Sequence, residues 1–162
     1  YYLGTEGGTR EWRNPHVAGK VVAAMSSCQK GEPKNLVERD YRRDTNTDNQ
    51  SNSWVSVDLG KGCTLVPDYY CLRHGYQNTN NRLRNWQFQG SADGSNWTTL
   101  RTHSNESWVQ GGFSTGAWPL QADAVQGRGF RHFRILQTGT NSSGVLNLMC
   151  SGIEVYGVLK RL

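Results

Sequence analysis

Apolar and polar residues alternate over several short stretches of the chain. In residues 53–59 the alternation places two valines and a leucine on one face of an extended strand, and Trp54, Ser56 and Asp58 on the opposite face. Residues 131–136 alternate in the same way. A side-chain period of two is typical of a half-buried β-strand. The pattern therefore predicts strands that pack one face into a core.

Segments of this kind recur along the chain, separated by Gly, Asn, Asp and Ser residues that favour turns. We predict eight strands, at residues 21–26, 53–59, 63–75, 86–91, 96–100, 113–120, 131–137 and 153–158. The one short helical signal, at residues 33–39, begins with a proline. Many short strands without a helical layer predict an all-β fold, an antiparallel β-sandwich or barrel, in a single domain of residues 1–162.

Three tryptophans, Trp54, Trp86 and Trp97, belong to predicted strands, and we interpret them as core residues. Two polar segments, residues 44–52 and 76–81, interrupt the strands and are rich in Asn, Thr and Asp. Asn and Asp side chains bond to nearby backbone groups in turns. We therefore expect both segments to be exposed loops.

The charge balance favours an acidic partner. The 162 residues include 18 Lys and Arg against 13 Asp and Glu, a formal net charge of +5. We expect no nucleic-acid binding, because this excess is modest and no nucleic-acid motif accompanies it. No apolar run approaches the roughly 20 residues of a membrane helix. The first residue is not Met and no signal-peptide pattern is visible, so we expect a domain excised from a larger protein.

The cysteines and the glycosylation triplets give opposite indications of cellular location. The cysteines are Cys28, Cys63, Cys71 and Cys150. They lack metal-binding spacing, and two lie in apolar stretches typical of buried thiols, so we expect them to be reduced. Asn-X-Ser/Thr triplets begin at Asn49, Asn96, Asn105 and Asn141. Such triplets suit a secreted protein, but they also arise by chance in a chain rich in Asn, Ser and Thr.

Catalytic motifs are missing from the sequence. There is no G-x-S-x-G or H-E-x-x-H pattern, and the four histidines are scattered. We therefore expect no enzyme, no metal and no cofactor. An alternative is a calcium site at Asp40, Asp44, Asn46 and Asp48, since calcium prefers oxygen ligands. Two adjacent arginines in the same stretch would oppose that ion.

Several segments resemble, in the right order, the signature of discoidin-like domains, also called coagulation-factor type C domains. The segment SWVSVDLG at residues 53–60 is similar to the W-x-x-V-D-L-G core of the family, and WQFQGSADGSNW at residues 86–97 is similar to its later signature. FRHFRIL at residues 130–136 and GIEVYG at residues 152–157 resemble its R-x-x-R-I and closing G-x-E-x-Y-G elements. The resemblance implies a galactose-binding-like jelly roll, with two antiparallel sheets around an apolar core.

One subset of the family is closer. WRNP at residues 12–15, LRHG at residues 72–75 and LRNW at residues 83–86 resemble the module of intracellular multidomain proteins. These include an ankyrin-repeat HECT-type E3 ubiquitin ligase and BTB-domain proteins. Secreted members usually pair one cysteine near each end, and this chain lacks such a pair, in agreement with reduced thiols.

Ligands of the family usually meet loops at one end of the sandwich, and the matching loops here are residues 26–35, 39–52 and 76–84. Their arginines suit bidentate recognition of carboxylate or phosphate, and their aromatic residues add contact area. The predicted ligand-binding residues are Arg39, Tyr41, Arg42, Arg43, Arg73, His74, Tyr76, Arg82 and Arg84. Structural roles stay open for Arg73 and Arg84 in ion pairs, and for His74 bonded to backbone.

The combined prediction is a non-catalytic protein-interaction module of an intracellular multidomain protein that acts in ubiquitin ligation. It would lie in the cytoplasm or nucleus and recruit a protein or peptide, with an acidic one as the favoured ligand. Polar loop tips predict no membrane insertion. A lectin-like carbohydrate-binding module of a secreted or surface protein is the main alternative, and a purely structural spacer is another.

Overall fold

The computed structural model describes residues 1–161, which form eight strands and two short helical segments. The strands are β1 Val22–Met25, β2 Trp54–Asp58, β3 Cys63–His74, β4 Trp86–Ser91, β5 Thr98–His103, β6 Thr115–Pro119, β7 His132–Gln137 and β8 Cys150–Arg161. A 3₁₀ helix, Pro33–Val37, lies between β1 and β2, and the short helix α1, Ala122–Val125, lies between β6 and β7. Each predicted strand has a counterpart, and the proline-led helical signal is the 3₁₀ helix.

The strands form two antiparallel sheets that face each other. One has five strands in the order β1-β2-β7-β4-β5, and the other has three in the order β6-β3-β8. The predicted all-β antiparallel sandwich is therefore confirmed. No helix within residues 1–161 has the length and apolar character needed to span a lipid bilayer.

The longest strands, β3 and β8, pair over almost their whole length. Cys63 lies opposite Arg161 at one end, and His74 lies opposite Cys150 at the other. A register shift follows Pro67, because proline has no N–H to donate and is tolerated in strands at bulges. The strand β8 is longer than predicted because it follows its long partner.

The core is filled by alternate residues of both sheets. Val55, Phe133 and Ile135 of the five-stranded sheet are 0% exposed, as the period-two pattern predicts. Tyr70 of β3 stacks on Phe88 of β4 with 4.0 Å between ring centroids. Burying side chains of this size contributes about 1.5–3 kcal/mol each, so this pair is a principal contact between the sheets.

A chain of hydrogen bonds, which we call the inner network, crosses the core through Trp86, Tyr70, His103 and Glu106. The Trp86 indole N–H donates to the Tyr70 hydroxyl at 3.0 Å, so the hydrogen of that hydroxyl goes to Nε2 of His103 at 2.7 Å. His103 then carries its own hydrogen on Nδ1 and donates it to Glu106 at 2.7 Å. Every polar group in the interior part of this chain has a partner.

Of the three tryptophans predicted to be core residues, only Trp86 is buried there, at 0% exposure. Trp54 and Trp97 are half-buried on the outer face of the five-stranded sheet. Trp54 alternates with buried Val55 and therefore faces outward. Trp97 lies beneath the guanidinium of Arg134, whose Cζ is 4.1 Å from the ring centroid. The alternation, and not the apolar character of the side chain, decides which face each tryptophan occupies.

Candidate binding surface

The four long connections between strands gather at one end of the sandwich, which we call the loop end. They comprise residues 26–53, 75–85, 104–114 and 138–149. Because neighbouring strands are antiparallel, alternate connections emerge at the same end. The three connections at the opposite end, which we call the turn end, are residues 59–62, 92–97 and 120–131, with fewer residues in total. The loop end therefore offers the larger irregular surface.

Part of the segment predicted to be an exposed loop is in fact buried. Thr45 and Thr47 are 0% exposed and Asn46 is 1% exposed. These three residues, 45–47, cross beneath the loop end, and we call them the loop floor. The prediction for residues 44–52 is corrected at this point, while Arg42 and Arg43 just before it are exposed.

Backbone hydrogen bonds hold the loop floor between the ends of two strands. The Thr45 amide donates to the Gly75 carbonyl at 3.0 Å, and the Thr45 carbonyl accepts from the Cys150 amide at 3.1 Å. The Thr47 amide donates to the Leu148 carbonyl at 3.2 Å, and the Leu148 amide donates back to Thr47 Oγ1 at 2.9 Å. Buried backbone groups need such partners. The two polar threonines can therefore be buried here with their backbone groups hydrogen-bonded.

Only glycine fits at position 75 of this arrangement. A Cβ atom there would overlap the Thr45 carbonyl oxygen and lie 2.5 Å from the Cys150 amide nitrogen. The close approach of three backbone segments therefore depends on Gly75. This contact holds the loop 26–53 against the loop 75–85.

Above the loop floor, a small charged and aromatic group is exposed to solvent. Lys30 Nζ lies 3.2 Å from Asp44 Oδ2 and 5.8 Å from the centroid of the Tyr76 ring. The exposed Arg42 and Arg43 precede Asp44 in the same loop. Lys30 had not been singled out from the sequence, because its partners are distant along the chain and no local motif marks them.

Three of the predicted ligand residues instead contact one another on the flank of the three-stranded sheet. The guanidinium of Arg73 donates to the Tyr41 carbonyl and to the Arg39 carbonyl, each at 2.8 Å. Arg73 therefore fixes the chain that follows the 3₁₀ helix. Its role is structural, through backbone carbonyls and not through the ion pair left open above.

His74 is 0% exposed and lies below the surface. Its Nε2 is 3.0 Å from the Asn78 carbonyl, which can only accept, so Nε2 carries the hydrogen. Burial lowers the pKa of His74. The side chain holds the loop 75–85 in place and is not available to a ligand, which corrects its assignment as a ligand contact.

The remaining predicted residues, Arg82 and Arg84, are half-buried in the same loop. The Arg82 amide donates to Ser142 Oγ at 2.9 Å, and the Arg84 carbonyl accepts from the Glu106 amide at 2.9 Å. The loop 75–85 is thus joined to both neighbouring loops. Of the predicted set, Arg42, Arg43 and Tyr76 reach the loop-end surface most directly.

Two sets of polar side chains in residues 1–161 bear on metal and catalytic chemistry. No group of three or more His, Cys, Asp or Glu side chains within them converges as a metal site. Of the calcium candidates, Asp44 pairs with Lys30, and the Asn46 amide nitrogen donates to Gln29 Oε1 at 2.5 Å. The inner network connects a carboxylate, an imidazole and a hydroxyl, but Tyr70 is 0% exposed and burial raises its pKa. No substrate reaches that hydroxyl.

A cavity of about 550 Å³ lies between the 3₁₀ helix, the chain around residues 1–15 and the two sheets. Its wall is mostly apolar and includes Leu36, Leu72 and Ile153. Arg39 and Arg73 line it as well. Since Arg73 bonds to backbone carbonyls there, this cavity belongs to the packing of the N-terminal segment onto the sandwich.

The cysteines and the Asn-X-Ser/Thr triplets can now be placed. None of the four cysteines forms a disulfide, and burial raises the pKa of Cys150 to about 11. Asn141 is 4% exposed, and its amide nitrogen donates to the Asn147 carbonyl at 3.1 Å. A glycan on Asn141 is incompatible with this fold, whereas Asn49, Asn96 and Asn105 are exposed.

Comparison with known proteins adds family information to this geometry. The family model described as F5/8 type C domain matches residues 22–150. "E3 ubiquitin-protein ligase Ufd4" of Drosophila melanogaster is 38% identical over 97% of this chain, and the match covers 6% of that protein. "BTB/POZ domain-containing protein At2g30600" of Arabidopsis thaliana is 31% identical over 99% of this chain, which covers 20% of that protein. The chain therefore spans only a small part of these relatives.

Solved structures share the fold at low sequence identity. The lectin domain of lectinolysin complexed with Lewis B antigen aligns with a TM-score of 0.63 and 19% identity, over 84% of this chain and 92% of that one. A Clostridium perfringens CBM32 module in complex with GalNAc-beta-1,3-galactose aligns with a TM-score of 0.65 and 14% identity, over 86% and 96%. At these identities the likeness shows a common sandwich.

Proposed function

The chain belongs to the F5/8 type C domain family, and from that premise we propose that it is a non-catalytic module that binds an acidic protein segment at its loop end. The observation that carries the proposal is the position of Arg42 and Arg43. Both are exposed, and they lie three and two residues before the buried loop floor. An anchored loop loses less conformational freedom when a partner binds it.

The surroundings of the two arginines fit an acidic partner. Lys30 lies in the same connection and contacts the Tyr76 ring of the loop 75–85, in which Arg82 is half-buried. Arginine recognises a carboxylate through two parallel hydrogen bonds, and a tyrosine ring adds contact area at low entropic cost. Asp44 is already paired with Lys30, so the exposed arginines keep their charge for a ligand.

The relatives support a role in ubiquitin ligation. The similarity to "E3 ubiquitin-protein ligase Ufd4" runs through almost the whole chain but covers a small part of that protein. A separate binding domain of this kind would recruit a substrate or an adaptor for the catalytic part. We accordingly place the protein in the cytoplasm or nucleus, where unpaired thiols persist and the four cysteines carry no disulfide.

The test is a pair of double variants with equal charge change. In Arg42→Ala plus Arg43→Ala, the affinity for Glu-rich peptides on an array should fall at least about tenfold, the effect of losing two charge-assisted contacts. In Lys61→Ala plus Lys160→Ala, which removes two positive charges at the turn end, it should change less than about twofold. Equal losses in both variants would show that net charge, and not the loop end, governs binding.

A carbohydrate ligand is the second candidate, favoured by the sugar-bound lectin and CBM32 structures that share this fold. Aromatic residues beside Arg and Asn suit the recognition of a sugar, and the half-buried Tyr76 adjoins the exposed residues 77–80. A glycan array separates the candidates. Saturable binding of one sugar, without binding of the Glu-rich peptides, would replace the protein ligand by a carbohydrate.

A further inference from the structure

The outer face of the five-stranded sheet carries a polar cluster far from the loop floor. It consists of Arg134 on β7, Gln87 and Gln89 on β4, and Trp97 and Thr99 at the start of β5, and we call it the outer network. Sequence reasoning assigned no role to Arg134 and placed Trp97 in the core. The face therefore needs an explanation of its own.

The guanidinium of Arg134 is held in one orientation. Its Cζ lies 4.1 Å from the centroid of the Trp97 ring, a close cation–π contact. Its Nε donates to Gln89 Oε1 at 2.6 Å. Gln89 is itself 6% exposed, and its amide nitrogen donates to Gln87 Oε1 at 2.9 Å and to Thr99 Oγ1 at 3.2 Å. The amide of Gln89 cannot turn away, so the arginine that it holds is fixed as well.

The far edge of the same guanidinium is not used. Within residues 1–161 the hydrogen bonds of Arg134 are limited to the one from Nε, and none of the ion pairs there includes this residue. Burial lowers the pKa of the Arg134 guanidinium, as expected for a charge partly removed from water without a counter-charge. The two Nη groups are thus pre-oriented donors without acceptors.

Arg131, three residues earlier, shows what the missing partner would be. Its Nε and Nη2 donate to the two carboxylate oxygens of Asp58, each at 2.6 Å. This is a bidentate pair, the arrangement that a guanidinium forms with a carboxylate. Arg134 has the same chemistry, a more rigid setting and no carboxylate.

The strand register defines the neighbours of Arg134 on the sheet. Ser56 of β2 lies opposite Arg134, and Gln89 of β4 lies opposite it on the other side. The guanidinium bonds to Gln89 and lies over Trp97, so the side chain extends across β4 towards β5. The unpaired guanidinium edge therefore belongs to the Trp97 side of this face.

We propose that the Nη edge of Arg134 binds the carboxylate of an Asp or Glu side chain in a partner protein segment, beside the half-buried Trp97 ring. The ligand completes the outer network as Asp58 completes Arg131. Because Arg134 and the loop end lie on different surfaces, binding at this site can be tested independently of the function proposed above.

The charges around the site favour a carboxylate over a phosphate. Arg134 is flanked in its own row by the uncharged Ser56 and Gln89. In the next row towards the turn end, the charge of Asp58 is matched by Arg131, and His132 lies opposite Asp58. One guanidinium fork matches one negative charge, whereas a phosphate group carries nearly two at neutral pH. A side-chain carboxylate is the better match.

The experiment follows the Trp97 indole N–H signal of the whole 162-residue chain in ¹⁵N-edited NMR spectra. The probe is a terminally blocked peptide with Glu between leucines, compared with its Gln twin and its phosphoserine twin. The Glu peptide should shift the signal saturably and bind at least about tenfold more tightly than the Gln peptide. Arg134→Gln should abolish the difference, and Arg134→Lys should weaken Glu-peptide binding several-fold, since an ammonium cannot form the bidentate fork.

The matched control is Lys160→Gln, which removes one positive charge at the turn end and should leave the affinity within about twofold. Equal affinity for the Glu and Gln peptides would overturn the proposal. So would unchanged binding in Arg134→Lys, which preserves the charge and decides the matter if Arg134→Gln fails to fold. Tighter binding of the phosphoserine peptide would replace the carboxylate by a phosphate, and a Lys160→Gln loss as large as that of Arg134→Gln would show that net charge, and not Arg134, governs binding.

Discussion

The inner network and the outer network lie on opposite faces of the same strands. From β4, Trp86 points inward and Gln89 points outward; from β5, His103 points inward and Thr99 outward. Inside, each donor of Trp86, Tyr70 and His103 has an acceptor, and the chain ends on Glu106 at the surface. Outside, the chain of amides ends on a guanidinium with an unused edge.

The difference teaches how a polar cluster on a sheet divides between stability and recognition. A buried group without a partner costs about 1–3 kcal/mol, so an interior cluster must be complete, as the inner network is. A half-buried group still meets water and can remain incomplete at a smaller cost. An incomplete cluster at that depth offers a ligand a fixed donor that no acceptor of the protein occupies.

The largest effect should come from opening the inner network. Tyr70→Phe keeps the stacked ring but removes the hydroxyl, leaving the Trp86 N–H and the His103 Nε2 unpaired in the core. Two buried groups without partners predict a loss of about 2–4 kcal/mol in the free energy of unfolding. Urea denaturation measures this loss.

The control is the same substitution at a half-buried position. Tyr156→Phe removes a hydroxyl that donates to Glu154 Oε2 at 2.6 Å, outside the core. We expect a loss of no more than about 1 kcal/mol. If both variants lost the same amount, the completeness of the inner network would not be the property that matters.

Acid should weaken the interior before it affects the outer face. Burial lowers the pKa of His103, against the opposing effect of Glu106, and burial also lowers the pKa of His74. Histidine in an unfolded chain has a pKa of about 6.5. Below that pH the unfolded chain binds protons that the folded chain does not, so stability is full above pH 6.5 and is lost as pH falls towards the folded pKa values. The slope should reach about 1.4 kcal/mol per pH unit for each histidine.

Urea denaturation between pH 7.5 and 5.5 tests this expectation. His74→Gln, whose amide can still donate to the Asn78 carbonyl, should reduce the slope by about half because one titrating group is removed. A level profile over this range would mean that neither histidine is held neutral in the folded chain. The contribution of Asp58 is lost only at lower pH, because its pKa is lowered: burial opposes its ionisation, but the hydrogen bonds from Arg131 and the Gly60 amide, together with the charges of His132 and Arg131, outweigh burial.

Local sequence patterns predict the sheets and fail where partners are distant. The alternation in residues 53–59 correctly assigns the buried valines and puts Trp54 on the outer face. The apolar character of Trp54 suggests the core instead, and that interpretation is wrong. Residues 45–47 read as an exposed polar loop because nothing nearby in sequence shows that Gly75 and Leu148 supply their hydrogen bonds. In the same way, the sequence shows Arg73 and His74 as charged or titratable residues beside a loop, and only the fold turns them into supports for backbone carbonyls.

The smallest effect should distinguish the two arginines of the outer face. Asp58→Asn opens the bidentate pair with Arg131, which is partly exposed to solvent, and should cost about 1 kcal/mol. Arg134→Gln breaks no ion pair. It loses the hydrogen bond to Gln89 and the cation–π contact with Trp97, but it also removes a half-buried charge without a counter-charge, so these effects oppose one another and the free energy of unfolding should change by no more than about 0.5 kcal/mol in either direction. Urea denaturation of the two variants side by side gives the answer. A large loss in Arg134→Gln would make the outer network a structural element like the inner one, whereas a level result combined with lost peptide binding would show that the fold keeps Arg134 for a partner.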